Sequence, residues 1–429
     1  MQVFEAMESE VRGYSRMFPA VFDRAEGSEL FDVDGRRYLD FFAGAGALNY
    51  GHNDPAMRAA LVAYIQHNGV VHSLDMATAA KGEFLQRFHD VVLEPRGLEY
   101  KVQFPGPTGT NSVEAALKLA RKITGRHTIV SFTNAFHGMT LGALSITGNS
   151  FKRHGAGVPL THSVVMPYCN YFEDELDSLA YLDTMVADDG SGVDKPAAII
   201  LETVQAEGGI NVASEQWLRG LAALARGHEI LIIVDDIQAG CGRTGPFFSF
   251  ERAGIEPDLV CLSKSLSGYG LPLSVLLIKP ELDVWEPGEH NGTFRGHNLA
   301  FVSATAALSY WKDDTLPRET ARKGELVRSV LDAVVEDHPQ LQGEVRGLGL
   351  INGIACPTPG IAAQVVREAF SRQLIIETAG PDDNVVKVMP PLVIDAEQLS
   401  EGLQIVRDSV RAVVDTMPHN TFAAMEATI

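Results

Sequence analysis

The stretch ILIIVDD at residues 230–236 decides the fold. Five apolar residues followed by two carboxylates are typical of a strand that is buried on both faces and ends at a polar edge of its sheet. Helical patterns separate this run from six comparable ones, so the chain alternates between the two kinds of element. The alternation predicts an α/β fold, with a seven-stranded, mainly parallel sheet flanked by helices on both faces. The six other runs lie at residues 101–104, 129–132, 164–166, 197–201, 259–262 and 274–278.

The two ends of the chain predict a second, smaller domain. Residues 30–41 (LFDVDGRRYLDF) have the pattern of a hairpin with Asp34 and Gly35 in its turn. After residue 315 the pattern changes to a long charged amphipathic helix and strands at residues 349–355 and 385–388. We therefore expect an N-terminal part of the small domain at residues 1–70, a large domain carrying the ligand site at residues 71–315, and the C-terminal part of the small domain at residues 316–429.

The composition excludes several classes of protein. The 429 residues contain 35 Lys and Arg against 55 Asp and Glu, and the formal net charge of −20 opposes binding to nucleic acid or to an anionic membrane. The four cysteines lack paired spacing, so we expect neither a disulfide framework nor a metal site. The N-terminus carries acids where a signal peptide needs bases, and no stretch has the roughly 18 apolar residues of a membrane span. We expect a cytoplasmic protein.

A first candidate site follows the strand at residues 101–104. The loop PTGTN at residues 107–111 precedes a helical pattern, so Gly109 and Thr110 lie at a helix N-terminus. Free N–H groups at such a position form a natural cradle for a phosphate. A simple helix-capping turn has the same composition, and the loop alone does not separate the two interpretations.

Two further candidates follow other strands. Asp235 stands directly after the apolar run, where a carboxylate can hold a cation, a metal or a protonated ring nitrogen, or can simply cap a helix. Lys264 follows the strand at residues 259–262 among small residues. Desolvation there lowers the pKa of a lysine and makes its amine nucleophilic enough for a Schiff base, although a lysine at a strand end can also extend into solvent.

These three features together match one cofactor. Pyridoxal 5′-phosphate needs a phosphate site, an acid that keeps its ring nitrogen protonated and a lysine for covalent attachment. Its ring also needs a face for stacking, which Phe136 supplies unless it packs in the core. The motif GCGRTG at residues 240–245 offers a competing interpretation as a dinucleotide fingerprint. That fingerprint needs a helix directly after it, and PFF follows instead, so we interpret the motif as a glycine-rich loop.

The chain resembles the class III aminotransferases, pyridoxal-phosphate enzymes of fold type I, over nearly its whole length. VDDIQAG at residues 234–240 is similar to the family's segment around the ring-nitrogen acid, and Ser263 and Lys264 follow at the family's spacing. The resemblance implies that Lys264 binds the cofactor covalently and moves the proton, while Asp235 holds the ring nitrogen. The other implied cofactor contacts are Gln238 at the ring hydroxyl, Phe136 on the ring face, and Gly109 and Thr110 at the phosphate. Further similar segments are FFAGAGALNYGH at residues 41–52, SFTNAFHGMTLGAL at residues 131–144 and EHNGTFRGHNLAF at residues 289–301.

The resemblance also implies an oligomer. Thr293 resembles the threonine that reaches the phosphate of the neighbouring subunit, so the active sites are expected to be shared in a homodimer or a higher homo-oligomer. A monovalent cation is an open possibility that no motif establishes.

The substrate contacts depart from the family pattern. Met139 stands where many relatives carry an arginine for a distal carboxylate, and Lys387 stands where many carry an arginine paired with the glutamate that matches Glu207. Lysine offers a point charge instead of a bidentate fork, so this exchange is not conservative. Glu207 and Lys387, with Arg153 as a weaker candidate, are the expected substrate-binding residues.

Within the family, the resemblance implies transfer of the amino group of L-glutamate to L-aspartate 4-semialdehyde. The products are 2-oxoglutarate and L-2,4-diaminobutyrate, and the reaction is the first step of ectoine biosynthesis, an osmoadaptive pathway. The alternatives are another ω-aminotransferase acting on ornithine, 4-aminobutyrate or a diamine, and a glutamate-1-semialdehyde aminomutase. A nucleotide-binding oxidoreductase and a non-catalytic binding protein represent other classes.

Overall fold

The computed structural model describes residues 2–173 and 175–417 of the chain. These residues form a seven-stranded sheet, two four-stranded sheets and a two-stranded ribbon. The strands are β1 (Phe22–Glu26), β2 (Glu29–Asp32), β3 (Arg37–Asp40), β4 (Lys101–Gln103), β5 (Ile129–Phe132), β6 (Ser163–Met166), β7 (Ala198–Leu201), β8 (Val204–Gln205), β9 (Asn211–Val212), β10 (Leu231–Asp235), β11 (Leu259–Leu262), β12 (Val275–Ile278), β13 (Glu344–Leu348), β14 (Ile351–Ala355), β15 (Leu374–Ile375), β16 (Glu377–Ala379) and β17 (Val385–Val388).

Helices connect these strands. They are α1 (Gln2–Met7), α2 (Tyr14–Met17), α3 (Ala43–Gly46), α4 (Pro55–Gln66), α5 (Ala79–Phe88), α6 (Gly109–Thr124), α7 (Leu141–Ser145), α8 (Ser150–His154), α9 (Ser178–Ala187), α10 (Glu215–Gly227), α11 (Asn298–Ala307), α12 (Thr315–Asp337), α13 (Ile361–Ser371) and α14 (Ala396–Val414). Within the described ranges, none of them combines the length and the apolar character needed to cross a membrane.

The seven-stranded sheet confirms the predicted α/β fold. Its strand order is β4-β12-β11-β10-β7-β5-β6, and each strand coincides within one or two residues with a strand predicted from the sequence. The neighbours from β11 to β6 pair in parallel, whereas β12 runs antiparallel to both β11 and β4. Every residue of β5, β7, β11 and β12 is buried, which explains why these strands read as continuous apolar runs.

The two chain ends meet in a smaller sheet. The predicted hairpin is present as β2 and β3, and β15 pairs in parallel with β3 through Leu374 with Leu39 and Ile375 with Asp40. The other four-stranded sheet has the order β13-β14-β17-β16 and consists of C-terminal residues alone. The domain boundaries given above stay a prediction.

The glycine-rich loop at residues 240–245 follows β10 and consists of turns that lead into Ser249–Ala253, a short 3-10 segment. Buried Arg243 donates to the carbonyl oxygens of Leu350 and Pro390 at 2.8 and 2.6 Å and to Oδ1 of Asn49 at 2.6 Å. The loop therefore joins the large sheet to both chain ends, and the helix that a dinucleotide fingerprint needs does not follow it.

Candidate active site

A cavity of about 190 Å³ lies at the carboxyl ends of β5, β7, β10 and β11. This is the edge at which an open α/β sheet binds its ligands. The structure thereby brings together residues that are far apart in the sequence. Seven of the predicted site residues line the cavity: Gly109, Thr110, Phe136, Glu207, Asp235, Gln238 and Lys264. The wall also contains His137, Gly138 and Glu202, which the sequence interpretation did not assign to the site.

Asp235 is held by two donors. Its Oδ2 atom lies 2.7 Å from Nδ1 of His137, and its Oδ1 atom accepts the backbone N–H of Ile237 at 3.2 Å. Burial opposes protonation of His137, but the bond to the carboxylate outweighs it and raises the pKa of the imidazole. His137 and Asp235 thus form a buried pair in which the carboxylate has a fixed direction.

Lys264 ends the chain segment that leaves β11. It begins a 3-10 turn, Lys264–Ser267, and adopts a left-handed backbone conformation with a φ of 49°. Burial lowers the pKa of its amine, partly opposed by the carboxylate of Glu207. A buried amine that gives up its proton readily can act as a nucleophile and as a base.

The N-terminus of α6 forms one wall of the cavity. Thr108 and Asn111 form a capping box that starts the helix, with Oδ1 of Asn111 accepting the N–H of Thr108 at 3.1 Å. Ser112 donates to the carbonyl oxygen of Val275 at 2.7 Å and so anchors the helix to β12. Gly109 and Thr110 are its first two residues, so their free N–H groups lie beside the positive end of the helix dipole.

Phe136 is positioned by a carboxyl group. Its backbone N–H donates to Oε1 of Glu202 at 3.0 Å. Glu202 is buried, and burial raises its pKa to about 8. A carboxyl that follows β7 thus fixes the loop after β5, which carries both Phe136 and His137. No local pattern of the sequence distinguished Glu202 from other acids after strands.

Lys387 lies between two carboxylates. Its Nζ atom is 2.8 Å from Oε1 of Glu207 and 2.9 Å from Oε1 of Glu377. Burial would lower the pKa of this ammonium, but the two carboxylates outweigh it and raise the pKa. Burial would likewise raise the pKa of Glu207, whereas the Lys387 charge lowers it to about 2. Glu377 was not among the predicted residues.

Gln238 connects the ion pair of Glu207 and Lys387 to the N-terminal part of the chain. Its Nε2 atom donates to Oε1 of Glu207 at 3.1 Å and to the carbonyl oxygen of Ala45 at 2.7 Å. Ala45 belongs to α3, in which all four residues have positive φ values between 48° and 84°. Such a left-handed turn is costly outside glycine, and here it directs a carbonyl group at the site.

Three predicted residues do not line the cavity. Lys387 is fully buried and reaches the cavity wall only through Glu207, whereas Arg153 and Thr293 lie apart from it. Nη1 of Arg153 donates to the carbonyl oxygens of Ser145 and Thr147 at 3.2 and 2.9 Å, so backbone acceptors occupy its guanidinium. Thr293 is exposed, and its carbonyl oxygen faces Nε2 of His72 at 3.0 Å. The role assigned to Thr293 involves a neighbouring subunit and stays a prediction.

The cavity fits pyridoxal 5′-phosphate. A Cβ atom at Gly138 would stand 2.8 Å from Cβ of Thr110, and one at Gly109 would stand 2.8 Å from Cδ1 of Ile237. Glycine at both positions therefore lets the loops after β5 and β10 pack directly against the α6 N-terminus, where a phosphate group is favoured. The fixed carboxylate of Asp235 and the desolvated amine of Lys264 have the chemistry of the two other contacts that this cofactor needs.

The fold and this set of residues define an aminotransferase. The class-III aminotransferase family matches residues 11–410, and the chain belongs to that family. Family members are pyridoxal-phosphate-dependent enzymes, in agreement with the cofactor that the cavity fits.

Among curated proteins, the chain is 59% identical over 416 residues to the diaminobutyrate–2-oxoglutarate transaminase of Halalkalibacterium halodurans, covering 97% of both chains. It is also 59% identical to the enzyme of that name from Virgibacillus pantothenticus, covering 96% of this chain and all of the relative. Among solved structures, ornithine aminotransferase from Toxoplasma gondii superimposes with a TM-score of 0.85 at 25% identity, covering 97% of this chain and 95% of that one.

Proposed function

We propose that the enzyme transfers the amino group of L-glutamate to L-aspartate 4-semialdehyde, giving 2-oxoglutarate and L-2,4-diaminobutyrate. The observation that carries this proposal is the 59% identity, along nearly the whole chain, to transaminases named for these compounds. The cavity supports it with an amine, a ring-nitrogen acid and a phosphate cradle in one place.

When bound, pyridoxal phosphate supplies an electron sink for the pair released as the substrate's C–H bond breaks. Lys264 would take the proton from the reacting carbon of the amino donor and, in the second half-reaction, give a proton to the reacting carbon of the acceptor, because burial lowers the pKa of its amine. Asp235 would present its carboxylate to the ring nitrogen, and His137 keeps that carboxylate in one orientation. Phe136 would stack on the ring, and Gly109 and Thr110 would hold the phosphate.

Lys387 is the proposed contact for a substrate carboxylate. L-Glutamate carries a carboxylate on its reacting carbon, whereas C4 of 2,4-diaminobutyrate carries none. Nζ of Lys387 contacts Glu207, which lines the same cavity as Lys264, so a carboxylate that takes the place of Glu207 would reach the ammonium from the cavity. In the structure Glu207 forms an ion pair with this ammonium, so a substrate carboxylate would have to displace it. Arg153 is the weaker candidate, since it already binds two backbone carbonyls.

The proposed assembly is a homodimer, or a higher homo-oligomer, with shared active sites. Thr293 lies in the loop before α11, outside the cavity of its own chain, and its neighbour Phe294 is 64% exposed. In a dimer, this exposed loop would meet the phosphate end of the neighbouring site.

The test uses purified enzyme with pyridoxal phosphate, ¹⁵N-labelled L-glutamate and L-aspartate 4-semialdehyde, with products identified by mass spectrometry. The expected product is labelled 2,4-diaminobutyrate, formed in amounts equal to 2-oxoglutarate. The reverse reaction, from diaminobutyrate and 2-oxoglutarate, checks the same step. A higher kcat/KM with ornithine, 4-aminobutyrate or another diamine would replace the proposed substrate. Formation of diaminobutyrate by Lys264→Ala at the wild-type rate would contradict the site.

A further inference from the structure

The two carboxylates that share Lys387 differ in their surroundings. The Glu207 side chain is 20% exposed and lines the cavity, whereas the Glu377 side chain is 4% exposed and lies behind it. Both approach the same Nζ atom at almost the same distance. A carboxylate that enters the cavity would therefore meet Glu207 first.

The two carboxylates also differ in how they are held. Glu377 and Lys387 are directly paired residues of the antiparallel strands β16 and β17, so their side chains stand on the same face of the sheet. The hydroxyl of Tyr14 donates to Oε2 of Glu377 at 3.2 Å. Glu207 comes from the loop after β8, in another part of the fold. Strand pairing thus keeps the Glu377 carboxylate beside the lysine, whereas Glu207 reaches it from a loop.

We propose that Glu377 is a positioning residue for Lys387, which holds the ammonium in place while a substrate carboxylate displaces Glu207. A buried ammonium without a carboxylate partner is strongly destabilised, and Glu377 supplies that partner while Glu207 is displaced. The ammonium then stays charged and in place, and the incoming carboxylate meets a preorganised cation. This inference rests on the proposed use of a dicarboxylic amino donor and adds the residue that prepares its subsite.

Glutarate is the probe for this subsite, because it has both carboxylates of glutamate but no amino or oxo group and cannot react. Its dissociation constant is measured by calorimetry with the wild-type holoenzyme and with Glu377→Gln, Glu207→Gln and Glu344→Gln. Glu344 is the matched control, since it lies on β13 of the same sheet and pairs with Arg346 at the surface.

The expected results have opposite signs. Glu377→Gln weakens glutarate binding about tenfold, because the anion has to break the last ion pair of a buried cation. Glu207→Gln strengthens binding, because it removes the carboxylate that competes for Lys387. Glu344→Gln leaves it unchanged. With L-glutamate as substrate, KM should rise or fall in each variant together with the dissociation constant of glutarate. A merely structural role of Glu377 would instead lower kcat with both L-glutamate and L-2,4-diaminobutyrate as amino donors.

Glu377→Asp covers the case in which Glu377→Gln does not fold. It keeps the buried charge but withdraws the carboxylate from Nζ, so glutarate binding weakens there as well, by less than in Glu377→Gln. Unchanged or tighter binding in the folded Glu377 variants would overturn the proposal, and so would a wild-type enzyme that does not bind glutarate. Nitrogen transfer by the wild type tests the proposed function separately, since it does not depend on the sign of these shifts.

Discussion

Nδ1 of His137 lies 2.7 Å from Oδ2 of Asp235, and both side chains are buried at the inner end of the cavity. The carboxylate that we propose as the partner of the ring nitrogen is thus held by a residue 98 positions away in the sequence. The contact forms because the loop after β5 and the end of β10 meet at one edge of the sheet. A hydrogen bond to a charged group inside a protein is strong and directional, so His137 determines where the Asp235 oxygens point.

Replacing His137 by leucine should lower kcat about tenfold, because a hydrogen bond to a charged group contributes about 1.5–3 kcal/mol. His137→Asn is the matched variant, since its amide N–H can donate from nearly the position of Nδ1. It should keep more activity than His137→Leu. Steady-state turnover of L-glutamate with 2-oxo acids measures both variants. Equal activities in the two would show that the bond to Asp235 is not what His137 contributes.

Lys264→Ala should lower transamination by at least about a hundredfold, because general acid–base catalysis by one side chain contributes about 10²–10⁴ in rate. Borohydride treatment of the wild-type enzyme, followed by peptide mapping, should place the reduced cofactor on Lys264. Lys279→Ala is the control, since Lys279 pairs with Asp258 at 3.1 Å outside the cavity. An adduct found on another lysine of the wild type would remove Lys264 from its assigned role.

Gly138→Ala should weaken binding of pyridoxal phosphate to the apoenzyme. The added Cβ would stand 2.8 Å from Cβ of Thr110, and the φ of 132° at this position already disfavours a side chain. Gly157→Ala is the control, because Gly157 also has a positive φ, of 67°, but its Cβ would point into open space. Absorbance titration of both apo variants with the cofactor gives the dissociation constants. Equal dissociation constants for the two variants would mean that cofactor binding does not need glycine at position 138.

Asp236→Asn should flatten the dependence of stability on pH. Burial raises the pKa of Asp236 from 3.8 to about 7, although Ser249 donates to its carboxylate. Between these two values the folded protein keeps a proton that the unfolded chain has lost, so the free energy of unfolding falls as pH rises. The difference between pH 4 and pH 8 should shrink by up to about 4 kcal/mol in the variant. Urea unfolding at both pH values measures it, and parallel profiles for the two proteins would contradict the assignment.

Local patterns predicted the seven-stranded sheet because its inner strands β5, β7 and β11, like β12, are short apolar runs in which every residue is buried. Gly109, Thr110, Asp235 and Lys264 were predictable for a related reason. They follow strands or start a helix, and the ends of parallel strands converge at one edge of the sheet. The absence of a helix after residues 240–245 could also be anticipated, since Pro246 and two phenylalanines follow.

Glu202, His137 and Glu377 belong to the site through contacts that no short stretch of sequence shows. Glu202 is 66 positions from the backbone N–H that it accepts, and Glu377 is 363 positions from the hydroxyl that it accepts. The resemblance to the family placed Lys387 at a carboxylate-binding position. The sequence did not show that two carboxylates, those of Glu207 and Glu377, contact its ammonium. The sequence likewise showed the charge of Arg153 but not the two backbone carbonyl groups that bind its guanidinium.

The sequence by itself determined the sheet, the family and the residues at the strand ends, because apolar periodicity and strand-end chemistry are local properties. Tertiary structure alone decided which charged groups meet. Burial removes water from Lys264, Glu207 and Lys387 together. In that setting both lysines lower the pKa of Glu207, and Glu207 raises the pKa of both lysines against the effect of burial. Whether Lys387 has one carboxylate partner or two follows from the pairing of β16 with β17 and from the position of the loop after β8, which bring Glu377 and Glu207 to one ammonium group.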